Sequence, residues 1–345
     1  MGRRGCWVKG LRVQIACLVG VGCLLPGVRA ESSSMPEVHP PIGVFGSTIH
    51  TQGDVMLSYR FQRQDYEGLM DGTHDLSDSE VPAAYDVIPT ALRVNAHYFE
   101  AMWAPVEEFT VVVSLPFYEK SLDWQPRANV PGSATTTTVK GFGDISLNFL
   151  YRVFDDESGR LHLNLGLAFP SGSTQESATT PTSGNQLQRL PYVMQLGSGT
   201  IDLQPGITYN GYWRGMNWGA QILGVLHAGT NSQDYTKGNE YTVTGWAGRK
   251  WTRWFGTAFR LAWRQAFNPE GFDERMLETR SPLANPELQA FRRLDALFGF
   301  DFYVTGGRFQ GVRLSVEAGL PAYQSLDGPQ LRNRWSLTAG LQYAF

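Results

Sequence analysis

The chain has 345 residues, with 29 Lys and Arg against 32 Asp and Glu, a formal net charge of −3, and three cysteines. Cys6, Cys17 and Cys23 all lie within the first 30 residues, so the rest carries no disulfide framework, thiolate metal site or cysteine nucleophile. An acidic balance without a basic run excludes a nucleic-acid binder and a polybasic membrane-surface protein.

Residues 1–30 read as a secretory signal peptide. Arg3, Arg4, Lys9 and Arg12 form a basic start, 13–25 are mostly apolar, and Val28 and Ala30 suit cleavage after Ala30. The apolar run is too short to span a bilayer. Gly20 stands where a lipoprotein signal ending at Cys23 wants a bulky aliphatic residue. Cleavage removes five basic residues and no acidic one, leaving 24 basic against 32 acidic, a net of −8. No later stretch of about 20 residues is continuously apolar. The mean hydropathy of −0.24 resembles that of a soluble protein, but a barrel hides its apolar residues at alternate positions.

Residues 31–52 form an N-terminal arm, expected in the periplasm or the lumen. Twelve alternating segments follow, at 53–63, 91–103, 109–119, 143–154, 161–170, 199–212, 217–229, 240–250, 255–267, 292–304, 311–320 and 334–345. Most hold 10–14 residues, near the ~9–11 that a tilted strand needs to cross a bilayer. Their connections alternate in size. Those at 104–108, 155–160, 213–216, 251–254 and 305–310 are short. Those at 64–90, 120–142, 171–198, 230–239, 268–291 and 321–333 are long, and the Thr run at 135–138 and the Ser/Thr-rich 171–183 read as flexible loop. Short turns on one side and long loops on the other is the arrangement of an up-and-down outer-membrane barrel, short turns periplasmic.

The final segment is the clearest. Trp335, Leu337, Ala339, Leu341, Tyr343 and Phe345 alternate with small or polar residues. An aromatic at Tyr343 and a final Phe345 match the closing strand of outer-membrane barrels, whose end the barrel-assembly machinery reads. An edge strand of a soluble sheet is the alternative. Trp103, Trp124, Trp213, Trp218, Trp251, Trp254 and Trp335 fall near segment ends, where aromatic girdles stand in a membrane barrel.

Charged residues collect on the polar register. Arg60, Arg93, Arg152, Arg260, Arg264, Arg293 and Arg313 are expected to face the lumen. So are Asp54, Asp144, Asp202, Asp295, Asp301 and Glu317, with His97 beside Arg93. Charge on the lipid face costs roughly 2–4 kcal/mol at the midplane. Inside, these residues either pair across the lumen in a stabilising ladder or form a constriction that selects solutes. Met35, His39, His50, Met56, Met70 and His74 raise a copper question, but no tight ligand spacing appears, and no metal or cofactor is expected. Neither G-x-S-x-G nor H-E-x-x-H occurs, and no enzyme is expected.

The segments 41–61, GFGDISL (141–147), AFPSGS (168–173), GSGTIDLQPGITY (197–209), RRLDALFGFDFY (292–303) and AGLPAYQSLDGPQL (318–331), with the closing LQYAF, resemble the outer-membrane transporters grouped as the "MetA-pathway of phenol degradation" family. The likeness covers most of 41–345. It implies uptake of aromatic compounds and supplies no established solute. Relatives richer in Met and His serve copper or other metals; here Phe45, Thr48, Gln52 and Gln62 stand at such positions, against a metal role. The expectation is therefore an all-β protein, a transmembrane up-and-down antiparallel β-barrel of about 12 strands over 53–345. Its partners would be outer-membrane lipid, the barrel-assembly machinery and a small, apolar or aromatic solute. The alternative is a structural or binding barrel with a filled lumen, and a weaker one is a metal (copper)-linked outer-membrane protein.

Overall fold

The computed structural model describes residues 39–276 and 280–345. The segment read as a signal peptide and residues 31–38 of the arm lie outside them.

Period-two patterning builds the wall. In Gly159–Phe169, Leu163 and Leu165 point out, while His162, Asn164 and Ala168 are buried inward. Thirteen strands join one sheet: β1 (Val55–Gly72), β2 (His74–Leu76), β3 (Val87–Val106), β4 (Phe109–Pro126), β5 (Thr135–Phe142), β6 (Ile145–Asp156), β7 (Gly159–Phe169), β8 (Ile201–Trp213), β9 (Met216–Ala228), β10 (Glu240–Lys250), β11 (Phe255–Ala266), β12 (Phe291–Tyr303) and β13 (Val312–Ala344). Eleven pair antiparallel in a closed ring, with β13 returning to β1 from Met56↔Ala344 to Gly72↔Leu326. Outside the ring path, β2 extends β1 and β5 pairs with β4 above β6. Closure leaves no long unpaired edge.

The 33-residue β13 is folded back on itself. Fully extended it would span about 110 Å, yet Arg313 Nη1 donates to Gln342 Oε1 at 2.8 Å, so its two ends are neighbours. Asn333 N donates to Gln324 Oε1 at 2.9 Å, as expected of facing arms of one hairpin. The wall is thus crossed twelve times. The stretch 321–333, read from sequence as a loop, is paired strand; so are 64–72, 120–126 and the Thr run at 135–138. Those threonines pair with β4 from Trp124↔Thr135 to Ser121↔Thr138. β-Branched residues suit a ladder, and here that outweighs their polarity.

Short turns gather at one end, the turn end. At 156–159, Asp156 Oδ1 accepts from Ser158 N (2.8 Å) and Gly159 N (3.1 Å), an Asx turn that fixes the hairpin. Long segments gather at the loop end and pack into a core. Val81, Tyr85, Leu190, Met194 and Leu283 join Leu92, Leu122 and Trp124 of the wall. Arg127 ties down 81–85 through the carbonyls of Val81, Pro82 and Tyr85. Two short 3₁₀ turns, Pro282–Ala284 and Pro286–Leu288, are capped by Ser281 and Asn285. The segment 171–198 is therefore packed rather than free. Trp124 is not a girdle residue; it is buried in this core and donates to Thr137 Oγ1.

The surface is inverted relative to a soluble protein. Leu57, Leu165, Phe259, Phe298 and Val316 are exposed on the wall, whereas Thr208, Asn217, Gln221 and Glu317 are buried inside. So much contiguous apolar surface suits lipid rather than water. Trp103, Trp213, Trp251 and Trp254 are exposed near the turn end. No helix among the described residues is long and apolar enough to cross a membrane, which says nothing of a barrel.

Candidate functional site

The interior has two tiers. Residues 39–54 have no regular secondary structure and fill the turn-end tier. Their backbone carbonyls need partners away from water, and the wall supplies them. Arg313 Nη2 donates to Pro40 O (2.7 Å), Gln221 Nε2 to Phe45 O (2.8 Å) and Asn164 Nδ2 to Gly46 O (2.7 Å). Asn210 Nδ2 donates to Ser47 O (2.9 Å) and Arg152 Nη2 to His50 O (3.1 Å). His162 Nε2 sits 2.9 Å from Gly46 O. Ile49 packs with Met56, Met102, Val112 and Leu150, and the Arg60 guanidinium lies 4.3 Å from the Phe45 ring centre.

Two glycines let the arm lie this close. At Gly43 a Cβ would strike the Arg260 guanidinium and the Glu317 carboxylate. Gly46 has φ +57°, a left-handed conformation that side chains disfavour, and packs against Asn164 and Leu150.

Three buried ion pairs surround the arm. Arg260 forks onto Glu317 (2.9 and 2.6 Å), Arg313 reaches Asp301 (2.7 Å) and Arg60 reaches Glu100 (3.0 Å). Bidentate geometry and extra hydrogen bonds make such pairs tolerable in a dry interior. Ser315 Oγ also donates to Asp301 Oδ1.

Above the arm lies a cavity of about 640 Å³. Phe45 and Gly46 form its floor, while Tyr192, Val193, Gln195, Leu283 and Gln289 of the long segments contribute its cover. Tyr98, Tyr118, Leu223, Val225, Phe267 and Phe291 line the side, with Lys120, Asp144, Asp202, Lys237, Glu240, Arg264 and Arg293 among them. Lys120 Nζ donates to Val193 O (3.0 Å) and Gln195 O (2.6 Å), tying the cover to the wall. Asp144 accepts from Gly172 N (2.8 Å) and Ser198 N (2.7 Å), anchoring both ends of 171–198. Lys237, in the connection before β10, is held above the usual lysine range chiefly by the Glu240 carboxylate at 2.8 Å.

The residues expected in the lumen separate into three groups. Arg60, Arg152, Arg260, Asp301, Arg313 and Glu317 surround the arm, and Asp54 accepts from Thr51 N at the turn end. Asp144, Asp202, Arg264 and Arg293 line the cavity, with Asp295 paired to Arg293 at 3.0 Å. Arg93 and His97 are corrections: both lie on the outer register of β3. Phe99 and Trp103 on that register are exposed outward, which turns Ala96, Tyr98, Glu100 and Met102 inward. Arg93 pairs with Asp123 at 3.2 Å, and His97 Nδ1 sits 2.8 Å from Tyr59 Oη among Phe61 and Phe117. Glu100, Lys120, Lys237 and Glu240 escaped the sequence reading. The aromatics Phe99 and Trp103 were the available signal for Glu100; Lys120 and Lys237 lie in stretches read as loops.

Met35 lies outside the described residues, and the others do not form one cluster along β1 and β2. Met56 and Met70 are 14 residues apart on β1, roughly 45 Å, and His74 is exposed beyond Met70. Among the described residues no group of three His, Cys, Asp or Glu is placed to hold a metal ion.

No protein-family model matches the chain, and no curated protein matches it. Solved structures do. An outer membrane channel from Pseudomonas putida F1 is similar with a TM-score of 0.61 at 11% identity, over 90% of this chain and 100% of that one. A Pseudomonas aeruginosa FadL homologue (TM-score 0.44, 8% identity, 84% of this chain and 90% of that one) and KdgM porin (0.40, 8%, 84% and 99%) are also similar. At such identity the first likeness shows the fold, a closed antiparallel barrel shared with an outer-membrane protein.

Proposed function

We propose that the chain is a bacterial outer-membrane channel for a small solute with an apolar or aromatic body. The observation that carries the reading is the cavity of about 640 Å³ inside an inverted barrel. Volumes of about 300–1,000 Å³ with mostly apolar walls and a few polar groups suit a single small molecule. The barrel shared with an outer membrane channel from Pseudomonas putida F1 supports the class. The resemblance of 41–61 and 141–147 to the phenol-degradation transporters supports an aromatic solute. On this reading the turn end is periplasmic, export uses residues 1–30, and outer-membrane lipid covers the apolar wall. Tyr343 and Phe345, outward on the closing strand, would be read by the assembly machinery.

The arm has a place in the mechanism. It blocks the turn end, so passage needs it to shift while the wall stays closed. A solute entering at the loop end would rest in the cavity, then pass the arm. A second reading, a barrel whose filled lumen serves stability or binding, draws on the buried ion pairs around the arm. Liposome swelling separates the two. The channel reading expects solute-size-dependent swelling with purified protein; liposomes that stay tight to every small solute would support the filled barrel.

A further inference from the structure

Four cations line the cavity, and three have strong partners. Lys120 is spent on the carbonyls of Val193 and Gln195, Lys237 on Glu240, and Arg293 on Asp295. The fourth is Arg264. Among the described residues its guanidinium makes no hydrogen bond and no ion pair, although it lines the cavity. Its electrostatic neighbours are Tyr98 and Glu240. The other lining carboxylates are engaged as well. Asp144 holds two backbone amides, Asp202 accepts from Thr200 Oγ1 at 2.7 Å, and Glu100 pairs with Arg60.

The register adds an independent argument. Arg264 on β11 and Arg293 on β12 are direct cross-strand partners. Both line the cavity. Like charges directly opposite are destabilising. Asp295 pairs with Arg293, whereas Arg264 has no direct ion pair among the described residues and shares the charge of Glu240 with Lys237. Among the described residues no carboxylate contacts Arg264 directly, and Glu240, which acts on it electrostatically, is already bonded to Lys237; a bound carboxylate would complete the arrangement. The surrounding wall is apolar and aromatic, with Tyr98 and Tyr118 edge to face at 6.3 Å.

We propose that Arg264 is an anion-binding group, and that the cavity takes a small monoanion with a flat apolar body, an arene carboxylate. The proposal deepens the channel reading and rests on the cavity being its solute site. A planar guanidinium fork accepts a carboxylate through two parallel hydrogen bonds. The ring would lie against Tyr98, Tyr118 and Phe291. One guanidinium without a direct ion pair matches one negative charge. Glu240 and Asp202 nearby would oppose a dianion.

The test is calorimetric binding to the full-length processed protein in detergent, with benzoate and its neutral isostere benzamide as probes. Wild-type protein should bind benzoate about tenfold or more tightly than benzamide. In Arg264→Gln, benzoate affinity should fall at least about tenfold while benzamide changes less than about twofold. Arg264→Lys should retain much of the preference. Heat-modifiable migration on gels establishes that each variant is folded. Equal wild-type affinity for the two probes, no benzoate binding, or unchanged benzoate binding in folded Arg264→Gln would each overturn the proposal. The wild-type comparison stands even if the Gln variant does not fold. Swelling of liposomes by an uncharged sugar tests the channel reading separately, so the two can fail independently.

Discussion

Glu317 is 1% exposed and takes both hydrogen bonds of the Arg260 fork. Removing one member of such a pair leaves a buried charge without compensation, at a cost of about 3–5 kcal/mol. Glu317→Ala should therefore lower the temperature at which the folded band converts on gels; an unchanged conversion temperature would show that the pair contributes little. His50 offers a pH test. Burial, its largest influence, holds the imidazole below its usual 6.5, with Asp54 opposing and Arg160 adding to the effect. A released His50 binds a proton more readily than a docked one. Docking of the arm is thus fully stable above about pH 6.5 and weakens as the pH falls toward the lowered value. Protease cleavage within 39–54 should accelerate between pH 7.5 and 5 in wild type, and less in His50→Gln. Equal acceleration in both would assign the effect to other groups.

The arm is the element most exposed to a designed change. A larger side chain at Gly43 collides with Arg260 and Glu317, so Gly43→Leu should expel the arm and raise its cleavage rate while the barrel stays folded. Protection equal to wild type would mean the ion pair yields instead. At the seam, Val55 and Phe345 exchange two backbone hydrogen bonds (2.9 and 3.1 Å), and Tyr343 and Phe345 rings sit 5.5 Å apart. Deleting Phe345 should reduce the folded, membrane-inserted fraction while leaving export intact; normal insertion would contradict this. Elements were legible in the sequence where one face is apolar. Leu161 to Phe169 alternates plainly, and all five short turns fall where expected. Legibility failed above that belt, where QDYEGLMDG in β1 and TTTT in β5 have no apolar face and so no period-two signal, yet pair as strand. In β3 both registers mix polar and apolar residues, and the polar cluster of Arg93, Asn95 and His97 pointed to the wrong face. The contacts of the arm were illegible for another reason: carbonyls held by wall side chains leave no pattern in the arm's own residues.

At the scale of the whole molecule, a closed wall is filled at one end by its own N-terminal arm and packed over at the other by its long segments. The space between is the cavity. Twelve wall crossings suit this, since eight leave room only for side chains or one small ligand and sixteen enclose an open aqueous channel. The inside-out distribution of polarity fits such a barrel in lipid. The charges divide accordingly: those near the arm pair with one another, and among the described residues Arg264 in the cavity has no direct ion pair. The central claim, a solute channel occluded by its arm, is tested most directly by single-channel conductance in planar bilayers. The processed protein should be compared with a variant lacking residues 39–50. The account predicts small or intermittent conductance for the first and a steady, larger conductance for the second. Silence from both, with insertion verified, would contradict it.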